Sequence, residues 1–99
     1  MRFEWDEEKN QINRTKHDGI DFQTAALIFD DSHLMLLKDR IVDGEERWHA
    51  LGAAEGAVLL VVHIYREEDQ HGEEETIRII SARAANNRER RIYLQQAAQ

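Results

Sequence analysis

An α+β fold is what this sequence predicts: two helices, then a run of antiparallel strands, then a closing helix. Three observations carry that reading. Phe22, Ala25, Ala26 and Phe29 fall at i, i+3, i+4 and i+7, the stripe of a helix with one buried face. From residue 33 the apolar period shortens towards two, the period of strands. Near the end, Asn86 with Glu89 three residues later has the pattern of a capping box. The chain has 99 residues and 41% apolar content, enough for one packed core, so a single domain over residues 1–99 is expected.

Phe3-Glu4-Trp5 alternates and suits a short edge strand. Asp6 is placed as an N-cap, and Glu7 and Glu8 complement the helix dipole in the first turn. That helix runs to about His17 and stops at Asp18-Gly19. Ile12 is its clear apolar residue, which makes it a surface helix. Asp21 caps the second helix, and Asp30-Asp31-Ser32 ends it. Residues 33–38 read as a strand, Asp43-Gly44 as a turn, residues 45–51 as a strand and residues 52–56 as a loop. Residues 57–65 are apolar on both faces, as in a central strand covered on both sides. Residues 67–75 hold six acids and no Lys or Arg, the composition of a solvated hairpin tip. Residues 76–82 form another strand, and the capping box opens the last helix. The antiparallel sheet then has four strands, or five if the first short strand joins it.

Pro and Cys are absent, so the fold rests on neither disulfides nor a thiolate zinc site. The acidic N-terminus lacks the apolar stretch of a secretory signal, and the longest apolar run, residues 57–62, is far short of a bilayer span of roughly 20 residues. No membrane role and a cytoplasmic setting are expected. The formal charge of −7 argues against nucleic acid when taken as one number. Its distribution argues otherwise. Residues 78–99 carry five arginines and one acid, a net +4, which leaves the other 77 residues with 8 basic and 19 acidic groups, a net −11.

The residues themselves resemble a family. Phe3-Glu4-Trp5-Asp6, Lys9, Asn13, Lys16-His17-x-Gly19 and Phe22 are similar to the opening signature of the BrnT toxins. Asp30, Gly44-Glu45-Glu46-Arg47-Trp48, Val61-Val62-His63, Arg78-Ile79-Ile80-Ser81-Ala82-Arg83 and Arg88-Glu89-Arg90-Arg91-x-Tyr93 continue it in order. The resemblance implies a RelE-like fold and a ribonuclease toxin of a type II toxin–antitoxin pair. It implies a BrnA-like antitoxin with a DNA-binding domain as partner, RNA as substrate, and operator DNA reached only through the antitoxin.

RNA cleavage of this sort needs no metal and no cofactor. The substrate's own 2′-hydroxyl is the nucleophile, and the protein must orient it, take its proton and stabilise the phosphorane. Arginines suit the last task through a planar donor fork that stays charged. Arg47, His63, Arg78, Ser81 and Arg83 are the catalytic candidates, and Lys16, His17, Trp48, Arg88, Arg90, Arg91 and Tyr93 the substrate-binding ones; the arginines stand where the family pattern puts them, and the others are chosen for their side-chain chemistry. Arg47 and His49, two apart on one strand, share a face while Trp48 takes the other. Each candidate has a plainer alternative: a surface ion pair for Arg47, a cross-strand salt bridge for Arg78 and core packing for Trp48. His63 could equally be a buried, hydrogen-bonded histidine. Lys16 and His17 could cap the first helix, and Tyr93 could pack along the last one.

Strict alternation would put Ile77, Ile79, Ser81 and Arg83 on one side and Thr76, Arg78, Ile80 and Ala82 on the other. Arg78 and Arg83 then reach one groove only if a bulge near Ile79-Ile80 reverses the parity or if Arg83 lies past the strand end; otherwise only one is catalytic. The second option is the expectation adopted. In the last helix Arg88, Arg91 and Gln95 form one stripe, suited to RNA or to solvent. The five histidines show no H-x-H or H-E-x-x-H cluster, so no metal site is expected. Two other functions fit the same fold: a DNA gyrase poison and a non-catalytic binding module.

Overall fold

The computed structural model describes residues 1–67, 71–72 and 74–99. The elements run β1 (Arg2–Glu4), α1 (Glu7–Lys16), α2 (Phe22–Ala26), a 3₁₀ turn (Leu27–Asp30), β2 (Met35–Val42), β3 (Glu45–Ala54), β4 (Ala57–Arg66), β5 (Thr76–Ala84) and α3 (Asn87–Ala97). The five strands form one sheet in the order β1-β5-β4-β3-β2. β1 runs parallel to β5, and the other neighbours are antiparallel.

Local chemistry explains the element ends. The Asp6 carboxylate accepts from the backbone N–H groups of Glu8 and Lys9, and Asp21 accepts from Thr24. Asn86 and Glu89 complete the capping box reciprocally. At the two tight hairpins, Asp43-Gly44 and Glu55-Gly56 all take positive φ, the geometry of type I′ turns.

α1, α2 and the 3₁₀ turn cover one face of the sheet, hereafter the helical face. Phe22, Ala25 and Ile28 pack there on Ala50, Ala54, Leu59, Val61, Ile77, Ile79 and Ala82. α1 contributes almost no apolar surface and docks through buried Asn10 and Asn13 instead. The Asn13 amide donates to the Ala82 carbonyl at 2.7 Å and accepts from the Ala82 N–H at 3.1 Å. It therefore satisfies the β5 backbone beyond the reach of the three-residue β1, as a strand would. α3 packs on the other face through Tyr93 against Leu51 and Leu60.

The α+β architecture and the closing helix match the expectation from sequence, and several details are corrected. The sheet is mixed and five-stranded, because β1 adds parallel to β5 and places Phe3 against Phe29. The second helix is five residues long and tightens into the 3₁₀ turn. Residues 52–54 belong to β3, not to a loop. Gly52 sits mid-strand because a Cβ there would lie 2.8 Å from Ile28 Cβ, so its bareness lets the 3₁₀ turn approach the sheet. The first strand of the main run begins at Met35 and extends to Val42. Of the acidic residues 67–75, Glu68, Asp69 and Glu73 lie outside the described residues. Among the described residues no helix is long and apolar enough to cross a membrane.

Candidate active site

The arginines are brought together by one irregularity. Val62 of β4 pairs with Ser81 of β5, yet the next residue, His63, pairs with Ile79, so Ile80 is an extra residue. This bulge reverses the side-chain alternation of β5. Arg83 lies within the strand, opposite Leu60, and not past its end as expected. Ile77, Ile79 and Ala82 point into the helical face, while Arg78, Ser81 and Arg83 point to the other.

The register extends this open face across the sheet. Ser81, Val62, His49 and Leu37 are successive cross-strand partners, so Ser81 and His49 flank the half-buried Val62. Neighbouring strands lie about 4.8 Å apart, which puts roughly 10 Å between the Ser81 and His49 backbones. Arg78 stands on β5 beside Ile64, and Arg47 stands on β3 two residues from His49, on the same side. Glu4 of β1, opposite Arg78, completes the row. The result is a trough with an apolar floor, Val62 and Ile64, and basic groups on both flanks. α3 closes one end.

The arginines are held differently. Arg83 makes a bidentate pair with Glu89, at 2.7 and 2.9 Å, which ties it to the first turn of α3. Its hydrogen bonds hold the Glu89 carboxyl below the usual glutamate range, against a smaller opposing effect of burial. Glu4 Oε1 lies 2.8 Å from Arg66 and 3.6 Å from Arg78. Arg47 makes no ion pair among the described residues, and its Nε is buried without a hydrogen-bond partner. An unsatisfied buried donor costs about 1–3 kcal/mol. His49 Nε2 lies 3.2 Å from Asp39 Oδ2 on β2.

Other expected site residues lie elsewhere. His63 is on the helical face, buried edge-to-face on Phe29 with centroids 5.0 Å apart, and burial pushes its pKa down. Trp48 is also on that face, with Lys38 Nζ 5.6 Å above its ring. Lys16 closes α1, and His17 is its C-cap, donating its backbone N–H to Asn13. That helix lies across the sheet from the trough. Tyr93 is buried, its hydroxyl donating to Asp31, and burial with that contact raises its pKa to about 12. Arg88, Arg90 and Arg91 are exposed on α3, and the last two border a shallow hollow with Leu94 and Gln95. A larger hollow of about 670 Å³ opens on the helical face, among Phe29, Leu36, Trp48, His63 and Tyr65. Its lining is mainly aromatic and aliphatic and includes none of the trough arginines Arg47, Arg78 and Arg83. Among the described residues no group of three or more His, Asp or Glu is placed to hold a metal ion.

Four residues of the site were outside the sequence-based set: Glu4, Asp39, His49 and Glu89. The shared parity of Arg47 and His49 was a usable signal for His49. The capping box located Glu89 without indicating Arg83 as its partner.

Comparison with known proteins adds one match. The profile of a family described as "Ribonuclease toxin, BrnT, of type II toxin-antitoxin system" aligns with residues 5–89. No curated protein matches the chain.

Proposed function

The chain belongs to the BrnT family of type II toxin–antitoxin ribonuclease toxins, and from that premise we propose that it is a metal-independent endoribonuclease whose active face is the arginine trough. The bulge at Ile80 carries this reading. It puts Arg78, Ser81 and Arg83 on the same side as Arg47, where one extended RNA backbone can meet all four.

In the proposed reaction the 2′-hydroxyl attacks the adjacent phosphorus. Arg47 and Arg78, on opposite flanks, bind the non-bridging oxygens and stabilise the charge that builds on them. Ser81 donates a hydrogen bond to the same phosphate. Arg83, fixed by Glu89, binds a neighbouring phosphate with little further loss of side-chain freedom. The Arg47 Nε, without a hydrogen-bond partner among the described residues, is consistent with this assignment, a functional role being one of the recognised reasons for such a group. His63 and Tyr93 serve packing in this reading, and the exposed arginines of α3 extend the binding track.

The proposed partner is a BrnA-like antitoxin with its own DNA-binding domain, through which operator DNA is reached indirectly. The setting is cytoplasmic and the fold RelE-like. The test is direct: purified, antitoxin-free protein cleaves RNA in the presence of EDTA. Arg78→Ala and Arg83→Ala abolish growth arrest in cells while remaining folded. Intact RNA with folded wild-type protein, or undiminished toxicity in both variants, contradicts the proposal.

A further inference from the structure

We propose that His49, oriented by Asp39, is the base that takes the proton from the attacking 2′-hydroxyl; this rests on the ribonuclease reading above and assigns the group that reading leaves open. Of the two strand histidines, only His49 is on the trough side. His63 is on the opposite face, its Nδ1 directed at the Val61 carbonyl at 3.5 Å. A base must come within hydrogen-bond reach of the proton it removes, and the sheet lies between His63 and any RNA bound over the arginines.

The surroundings of His49 suit the task. Its ring stands across Val62 from Ser81 and on the same strand face as Arg47, so a phosphate held by those residues places its ribose near the ring. Asp39 Oδ2, 3.2 Å from Nε2, favours the tautomer with the proton on Nε2 and leaves the Nδ1 lone pair free to accept. No hydrogen-bond partner of Nδ1 is found among the described residues. About a third of the side chain is exposed, enough for contact with substrate. The other titratable groups near the ring are Glu89 at the start of α3 and His63 behind the sheet, with Arg47 on its own strand. Asp39 acts on the ring alone and is a positioning residue.

The step balances without a co-reactant other than water. The O2′–P bond forms as the P–O5′ bond breaks, and the 2′-hydroxyl proton passes to Nδ1 of His49. The electron pair of the broken bond leaves on O5′, which takes a proton from water. The imidazolium then returns its proton to the resulting hydroxide. The products carry 2′,3′-cyclic phosphate and 5′-hydroxyl ends.

The experiment compares wild type, His49→Ala and Asp39→Asn on one RNA oligonucleotide, across pH and with product ends identified. Wild type yields cyclic phosphate ends. His49→Ala slows cleavage by roughly 10²–10⁴-fold, loses the acid limb of the pH–rate profile and recovers rate when imidazole is added. Its binding to 2′-O-methylated RNA is unchanged. Asp39→Asn gives a partial loss of rate. If His49→Ala does not fold, His49→Gln carries the same comparison of rate and pH profile. Wild-type rate and pH profile in a folded His49 variant overturn the proposal and leave the ribonuclease reading standing. A slowed variant with the wild-type pH profile and no imidazole rescue also overturns it. Wild-type protein that cuts no RNA overturns both.

Discussion

The two faces of this sheet are built from the same strands and solve opposite problems. The helical face is closed: Phe22, Ala25 and Ile28 seal it, and Asn10 and Asn13 satisfy backbone groups that would otherwise be orphaned. The trough face is left open along rows of Arg, Ser and His, with Arg83 held by Glu89 and the Arg47 Nε unsatisfied. One face turns its polar groups to the fold, and the other presents polar groups that the proposed reading assigns to RNA. On the proposed reading, stability and chemistry rest on separate side chains of adjacent residues, so substitutions should separate the two properties.

The largest separation is expected at Arg47. Arg47→Met lowers the rate of RNA cleavage roughly 10²–10³-fold, while removal of an unpaired buried donor leaves stability equal to or above wild type by up to about 1 kcal/mol. Cleavage kinetics and denaturant unfolding on the same samples check both halves. A destabilised variant with intact activity breaks the contrast.

Asn13→Ala comes next, and in the other direction. It strands the Ala82 N–H and carbonyl and should cost on the order of 2–3 kcal/mol in urea unfolding. Because Ala82 lies between Ser81 and Arg83, a moderate loss of rate accompanies the loss of stability. Here the helical face supports the trough directly.

Gly52→Ala tests the helical face alone. The added Cβ meets Ile28 at 2.8 Å, and over-packing of this kind costs about 1–3 kcal/mol. Cleavage per folded molecule should stay at the wild-type value. A specific loss of rate at full folding would show that the two faces are coupled through β3.

Glu89→Gln is the smallest perturbation. Loss of the charged capping partner costs about 1 kcal/mol near neutral pH. The Arg83 pair lowers the Glu89 pKa in the folded state. Its stabilisation is therefore complete above the ordinary glutamate range and is lost as pH falls through that range towards the depressed folded value. Thermal unfolding across acid pH should show a shallower decline for the variant than for wild type.

Much of this was legible locally. Asp6, Asp21 and Asn86 act as caps, and Asp43-Gly44 turns the first hairpin, because those signals lie within four residues of what they control. The site was legible only as a set of residue types. Its geometry depends on Ile80, an isoleucine among isoleucines with no Gly or Pro to mark a bulge. A bulge near Ile79-Ile80 was one of the routes that would unite Arg78 and Arg83, but nothing local favoured it over Arg83 lying past the strand end, which was the expectation adopted. Gly52 looked like a loop residue because its purpose, close approach of Ile28, is set by a contact far along the chain. The Asn13–Ala82 bonds join residues 69 apart, and nothing in the neighbourhood of either position announces the other. His63 has the chemistry of a base but lies on the helical face, opposite the arginines, whereas the parity of Arg47 and His49 puts those two on one face.

The central claim is that RNA binds the arginine face of the sheet. Methyl-labelled protein titrated with 2′-O-methylated RNA, which cannot react, tests it by NMR. Val62 on the trough floor should shift, while Leu34, Leu36 and Ile77 on the helical face stay in place. Shifts confined to Leu34, Leu36 and Ile77 would contradict the account.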